Sequence, residues 1–484
     1  MIDWIVLQLA RVPRRQRANP TTRSKEIPMA VTNHEGFAFK PEQFQQIVED
    51  VLRIAKATGA SDAATEVSEG SGLSVSVRKG AVENVERNRD KSVGVAVYIG
   101  KRRGNASTSD FSLKALEQTV RAAYDIARFT AEDPAAGLPD EADLATPEEA
   151  ARDLDLFHPW DIDVAGATEL ARRCEDAAFA TNRRITNSEG AGVSAQQSHF
   201  QTGNSRGFRG GYASSRHSLS VAPIAGKGGG MQRDHWYSSM RDAAELAAPE
   251  AVGRYAAERA LSRLNSRKVP TCEVPVLFES TLAAGLLGSF VQGVSGGALY
   301  RKASFLQDSL GTAVFPADVD ILEFPDEPRG KGSAPFDDEG VRTQARDVVS
   351  GGVVQGYFLS SYSARKLGMK TTGHAGGSQN LRLTHRRTQP GDDLPAMLRK
   401  LDRGLFVIEL MGQGVNYVTG DYSRGAAGFW VENGRIVHPV EEVTIAGHLR
   451  TMLAGIQAVG ADAYTYGAKT VGSVLLSPMK VAGA

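Results

Sequence analysis

The sequence predicts an α+β protein in which N-terminal helix and antiparallel-strand units precede a large, mostly antiparallel, β-rich C-terminal domain. Three observations carry that prediction. Glycine is abundant, 51 of 484 residues, and it punctuates alternating apolar runs, as tight turns between strands require. Amphipathic helical stripes with recognisable caps flank the first of those runs. The chain also exceeds the length at which one hydrophobic core stops growing, so it divides into several units.

Taken in order, the first 34 residues read as a disordered or over-extended start ahead of the body of the protein. Ile2 to Leu9 is a brief apolar run followed by Arg11, Arg14, Arg15 and Arg17, the reverse of a secretory signal and too short to span a membrane. The first unit, 35–130, begins with a helix over Pro41–Thr58. Phe44, Val48, Val51, Leu52 and Ala55 form its stripe, proline stands in its first turn and Gly59 just past its end. Alternation follows at Leu73, Val75, Val77, then Val82 and Val85, then Val93, Val95 and Val97, which predicts three or more half-buried antiparallel strands. Ser112 caps a second helix with Leu116, Val120, Ala123 and Ala127 inward.

Residues 131–160, rich in proline, alanine and acidic side chains, read as an extended linker along the surface. The plan then repeats in a second unit, 161–267. A helix is expected from Ala165 to Ala180, short Gly- and Ser-punctuated strands from Arg184 to Ala225, and a helix from Pro249 to Leu264. The β-rich domain, 268–484, opens with a strand at Val274–Phe278 and an apolar helix at Thr281–Val294. Hairpins are predicted through Ser350-Gly351-Gly352 and Asn433-Gly434, and a last amphipathic helix from His448 to Ala458.

Composition excludes several functions. The 56 basic and 56 acidic residues cancel, leaving no electrostatic footprint for nucleic acid or an anionic membrane. Partners are therefore expected to be peptides or proteins. Cys174 and Cys272 lie far apart and outside any CxxC spacing, which fits a reducing cytoplasm and supports neither a disulfide framework nor a cysteine zinc site.

Local chemistry is sparse. No histidine lies within five residues of another, so no helix turn can offer a metal two imidazoles. Two stretches match G-x-S-x-G, around Ser205 and Ser295, but neither falls where a strand turns into a helix to lift a nucleophile above a parallel sheet. Gly226 to Gly230 lacks the following helix a phosphate loop needs and reads as a flexible turn. Asp337-Asp338-Glu339-Gly340 lacks calcium-loop spacing and reads as a solvated turn.

From Tyr300 onward the chain carries long specific motifs. They include Ser304-Phe305-Leu306-Gln307-Asp308-Ser309-Leu310-Gly311, Pro335-Phe336-Asp337-Asp338-Glu339-Gly340, Thr372-Gly373-His374-Ala375-Gly376-Gly377 and Gly420-Asp421-Tyr422-Ser423-Arg424-Gly425. These resemble the TldD/PmbA family, and within it the PmbA (TldE) branch. The resemblance implies a cytoplasmic subunit that pairs with a TldD-type subunit as a heterodimer. That pair would form a zinc metallopeptidase acting on unfolded or leader peptides, and a homodimer is a further arrangement for the chain alone. In the TldD branch an H-E-x-x-x-H helix and a later cysteine hold zinc. Aligned here, that helix becomes Gly288 to Gly293, leaving the metal-helix positions Gly288, Ser289, Gln292 and Gly293 without ligands.

The resemblance thus implies no catalytic residue and no cofactor in this chain, with zinc in the partner. His374, Tyr422 and Arg424 are the expected peptide contacts, set against the alternative that they hold turns and the subunit interface. Two other readings stand beside this one: an autonomous metallopeptidase with a site built from scattered residues, and a non-enzymatic adaptor of the gyrase-modulator kind.

Overall fold

The computed structural model describes residues 36–483, so the predicted start at 1–34 lies outside the described residues. Helix α1, Pro41–Thr58, has proline in its first turn and ends on Gly59 at φ 99°, whose N–H reaches the Ala55 and Lys56 carbonyls. Strands β1 (Asp62–Arg78), β2 (Ala81–Ile99) and β3 (Arg102–Thr108) follow, then α2 (Leu113–Phe129), capped by Ser112 with Leu116, Val120, Ala123 and Ala127 buried. A short turn of helix, α3 (Pro147–Ala150), interrupts the next connection. Then come α4 (Val164–Thr181), β4 (Ile185–Asn204), β5 (Arg209–Gly210), β6 (Ala213–Ala225), β7 (Gln232–Arg233), β8 (Trp236–Met240) and α5 (Pro249–Ser262).

These strands form one antiparallel sheet in the order β3-β2-β1-β4-β6-β7, with β5 on β4 and β8 on β6. The two units expected at 35–130 and 161–267 therefore do not close on separate sheets. β1 pairs β4 from Ala64 opposite Asn204 to Val77 opposite Ala191, joining them along its whole length. The short strands expected over 184–225 are instead two long ones, β4 and β6, because their glycines and serines sit inside the ladder rather than at turns. Helices cover a single face. α1 and α2 pack on Val67, Val93, Val95 and Val97, while α4 and α5 pack on Val75, Val77, Val193 and Leu219. Val82 and Val85, expected half-buried, stand exposed. β3 stops short of them, and residues 81–92 of β2 have β1 as their only strand neighbour. At Gly253 an added Cβ would collide with the Cys174 carbonyl and Ala178, so glycine sets how closely α5 approaches α4.

The segment 131–160 runs extended but not along the surface. Ala135, Ala136, Leu138, Leu144, Ala145, Leu154 and Leu156 are buried, and the Leu138 and Gly137 carbonyls accept from Arg365 of the C-terminal domain. Its apolar residues are spaced irregularly, which hides burial from a period-based reading.

The C-terminal domain contains β9 (Cys272–Phe278), α6 (Ser280–Gly293), α7 (Gly296–Tyr300), β10 (Val319–Phe324), β11 (Arg346–Ser350), β12 (Val353–Val354) and α8 (Ser361–Leu367). It continues through β13 (Asn380–His385), α9 (Leu394–Leu401), β14 (Gly404–Met411), β15 (Asp421–Glu432), β16 (Arg435–His448) and α10 (Leu449–Ala454), and ends with β17 (Ile456–Val459), β18 (Tyr464–Tyr466), β19 (Lys469–Val471) and β20 (Val474–Ala482). One sheet runs β12-β11-β10-β13-β19-β18 and another β16-β15-β14-β9-β20-β17, with β16 also pairing β20 so that the second path closes on itself. Only β9 with β14 and β13 with β19 are parallel.

Both predicted hairpins form, with Gly351 and Gly352 at positive φ in one and Asn433 and Gly434 in the other, the backbone a two-residue turn demands. The helix expected over His448–Ala458 stops at Ala454, and the chain continues as β17 against β20. Apolar Ile456 and Val459 serve a strand there as well as they would a helix. Phe278, Phe290, Leu306, Ile321 and Val407 lie at the centre of the largest core, between the two sheets. Each such side chain contributes about 1.5–3 kcal/mol on burial. No helix among the described residues is long and apolar enough to cross a membrane.

Candidate functional site

Helix α6 carries the four positions aligned with the metal helix. Its apolar run buries Ala283, Ala284, Leu286, Leu287 and Phe290 in the main core. Ser289 is buried and donates to the Gly285 carbonyl, while Gln292 is exposed. Gly293 is packed shut, since a Cβ there would lie 2.8 Å from Phe305 Cε1 and 2.9 Å from Leu306 Cδ1. Gly288 has room, and its nearest neighbour is the Lys469 side chain, with Cε 3.8 Å from the position of an added Cβ. Burial holds the Lys469 ammonium below its ordinary pKa. Two glycines, a hydroxyl, an amide and an adjacent cation do not fit a zinc ion, which takes thiolate, imidazole or carboxylate donors. Among the described residues no group of three or more His, Cys, Asp or Glu side chains is placed to hold a metal.

His374 lies elsewhere, in the loop after α8, only 6% exposed. Its Nε2 is 2.9 Å from Glu323 Oε2 and its Nδ1 2.8 Å from the Thr372 hydroxyl. Arg346 Nε donates to the same carboxylate at 2.8 Å, and the Gln379 N–H donates to its other oxygen. Burial pushes the His374 pKa down against the pull of Glu323. A neutral ring donating from Nε2 leaves Nδ1 to accept from Thr372. Burial would raise the Glu323 carboxyl, but His374 and Arg346 together hold it below its ordinary value. The result is a satisfied buried network, in which Arg346 forms one wall of a cavity of about 330 Å³ shared with Asp143, Arg342, Gln344 and Thr372.

Sequence reasoning missed Glu323. The signal was present in Val319-Asp-Ile-Leu-Glu-Phe324, where glutamate occupies the buried phase of an alternating strand.

Tyr422 and Arg424 sit on β15, away from that network, and no hydrogen bond or ring contact joins them to His374 among the described residues. Tyr422 is 4% exposed, its hydroxyl has no partner, and burial pushes its pKa up to about 12. Among the described residues the Arg424 side chain hydrogen-bonds the Leu410 carbonyl alone, at 3.4 Å.

The remaining motifs resolve as structure. Ser205 donates to Asp62 Oδ1 at 2.8 Å and accepts from the Ala63 N–H. Ser295 donates to the Gln292 carbonyl. Neither hydroxyl has an imidazole beside it to act as base.

The solvated turn expected at Asp337–Gly340 is corrected in part. Asp338 is exposed, but Asp337 is only 4% exposed and accepts from the Glu339, Val341 and Ala375 N–H groups. A short acidic side chain that staples its own turn can be buried where a free one cannot.

A larger cavity of about 470 Å³ opens on β1, β2, β4 and β6 beside the segment at 160–162, lined by Ser71, Arg89, Trp160, Gln196 and His217. It offers amide, indole, guanidinium, hydroxyl and imidazole groups, but Ser71 accepts from the Gln197 amide and the His217 Nε2 is engaged with the His158 carbonyl.

Comparison with known proteins gives these features a setting. Family models described as PmbA/TldA metallopeptidase domain 1, central domain and C-terminal domain match residues 64–127, 157–264 and 271–483. The chain is 48% identical over 445 residues to the protein named Metalloprotease PmbA of Escherichia coli O157:H7, covering 91% of this chain and 97% of that one. It is 46% identical over 442 residues to the Metalloprotease PmbA homolog of Haemophilus influenzae, covering 91% and 96%. Among solved structures, a putative modulator of DNA gyrase from Bacteroides thetaiotaomicron superposes with a TM-score of 0.84 at 24% identity, over 91% of this chain and 99% of that one. TldE from Thermococcus kodakarensis superposes at 0.76 and 17% identity, over 90% and 100%.

Proposed function

Because this chain belongs to the PmbA/TldD family, on its PmbA branch, we propose that it is the metal-free subunit of a zinc peptidase. It completes the peptide chamber beside a TldD-type subunit that carries the zinc. The observation that supports this reading most directly is helix α6. It is an unbroken helix packed into the main core, yet Phe305 and Leu306 fill the space a ligand at 293 would need, and Lys469 faces 288. Nothing at those positions can polarise a water. The contribution of this subunit is then binding: holding an unfolded or leader peptide extended while the partner cleaves it.

The test is reconstitution. The purified chain, the TldD-type protein of the same organism and their mixture are compared for size, zinc content and cleavage of an unstructured peptide. The expected result is one heteromeric species, with zinc following the partner and cleavage confined to the mixture. Cleavage by this chain alone with a stoichiometric metal would overturn the proposal in favour of an autonomous enzyme. A mixture that neither associates nor cleaves would favour an adaptor.

A further inference from the structure

Strand β6 and the residue just after β8 place two arginines toward the C-terminal domain, where a third cation meets them. Arg216 Nη2 donates to the Lys331 carbonyl at 3.4 Å and Arg241 Nη2 donates to the same oxygen at 3.3 Å. Arg241 is 8% exposed, and the rest of its guanidinium donates to the Gly330 and Ser215 carbonyls. Two guanidiniums thus converge on the Lys331 carbonyl, in the loop after β10, and the Lys331 ammonium is near enough to feel the charge of both.

Among the described residues no carboxylate forms an ion pair with any of the three, whereas Arg259, Arg263 and Arg329 at the same junction are matched to acids. The Lys331 ammonium has no hydrogen-bond partner among the described residues. Burial and the two arginines push its pKa down to about 8. Burial likewise lowers Arg216, and burial with Arg216 lowers Arg241 to about 10. Cations gathered out of water without counter-charge oppose folding, so the arrangement is stabilised when an anion enters. The neighbouring phenol of Tyr212, beside Arg241, offers a neutral donor to the same group, while Tyr237, beside Arg216, already donates to Tyr464.

We infer that Arg216, Arg241 and Lys331 form a carboxylate-binding subsite that anchors one end of a bound peptide between the first sheet and the loop at 330–331. The inference rests on the peptide-binding role proposed above. It adds a polarity to that role: the carboxylate is either the free C-terminus of the peptide or an acidic side chain. A planar, bidentate guanidinium suits either. Arg241 also clamps the loop, so Arg216 and Lys331 are the positions to vary.

The test uses the full chain and three fluorescein-labelled unstructured decapeptides of otherwise neutral sequence. One carries a free C-terminal carboxylate, one a C-terminal amide, and one a C-terminal amide with a single internal glutamate. Affinity is read by fluorescence polarisation, and cleavage of each peptide is read with the TldD-type partner present. The free acid is expected to bind about tenfold or more tightly than the plain amide, the scale of one hydrogen-bonded charge contact. Arg216→Gln and Lys331→Met should abolish that ratio, and Lys331→Arg should retain it. A preference carried instead by the glutamate peptide, and lost in the same variants, supports the subsite with a side chain as the source. Equal affinity for all three peptides, or a preference unchanged in the variants, overturns it. If the mixture still cleaves all three peptides equally, only the subsite falls. Absence of cleavage in every mixture counts against the subunit role instead.

Discussion

Removing the Arg259 guanidinium tests how the two halves of the molecule are held together. Arg259, on α5 of the N-terminal half, donates to Glu279 Oε1 at 2.6 Å at the start of α6, and to Asp234 Oδ1 at 3.1 Å. Arg263, one turn on, pairs with Asp234 at 3.6 Å and with Glu409 on β14. All of these side chains except Glu409 are at most 10% exposed. Arg259→Met preserves much of the stem volume but leaves Glu279 with no cation and Asp234 with only the longer contact to Arg263. Breaking a buried pair from one side costs about 3–5 kcal/mol.

Equilibrium urea unfolding with two probes is the assay, because a weakened junction lets the halves unfold separately and lowers the apparent slope. Arg259→Met/Glu279→Gln should recover part of the loss, since the second change removes the orphaned charge. A loss below about 1 kcal/mol, or strict additivity in the double variant, would refute the claim that this network is the junction.

Four further outcomes follow. Burial pushes the Asp337 carboxyl up from 3.8 to about 7. The folded protein therefore holds a proton the unfolded chain has released, and stability should fall as pH rises through that window, by on the order of 4 kcal/mol for this group. Asp337→Asn should flatten the slope of urea stability against pH between 4 and 7, and an unchanged slope would contradict the assignment. Gly293→Ala should cost about 1–3 kcal/mol through overpacking against Phe305 and Leu306, whereas Gly288→Ala, with 3.8 Å of clearance, should gain about 0.5–1 kcal/mol from helix propensity. Thermal melts of the pair decide it, and equal shifts would show that the two positions are packed alike. His374→Ala should lower stability by about 1.5–3 kcal/mol by removing a donor to buried Glu323, with little change in peptide affinity; a selective loss of affinity would make it a direct peptide contact. Reductive methylation followed by NMR titration should place the Lys331 midpoint near 8, well below the surface lysines.

The elements that could be read in advance are those with a local cause. Pro41 with Gly59, Ser112, and Asn433-Gly434 each fix a boundary through their own backbone chemistry, and each boundary stands where expected. What could not be read depends on contacts far apart in the chain. Nothing near Val75 indicates that its neighbour across β1 is Val193 of the second unit, so that the two units share one sheet could not be read. Ile456 and Val459 fit a helix or a strand equally, and pairing with β20 decides. Glu323 and the cations at 216, 241 and 331 were silent because their meaning lies in what surrounds them after folding.

The place of β20 in the C-terminal sheet has a consequence for how the protein comes into being. This last strand pairs with β9, more than 190 positions earlier, and also with β16 and β17. During synthesis, the N-terminal sheet has all its strands once residue 240 is out of the ribosome, whereas β9 must wait, with one long flank bare, until β20 has emerged. The chain is most open to chaperones in that interval. A chain cut before Val474 would be left there permanently.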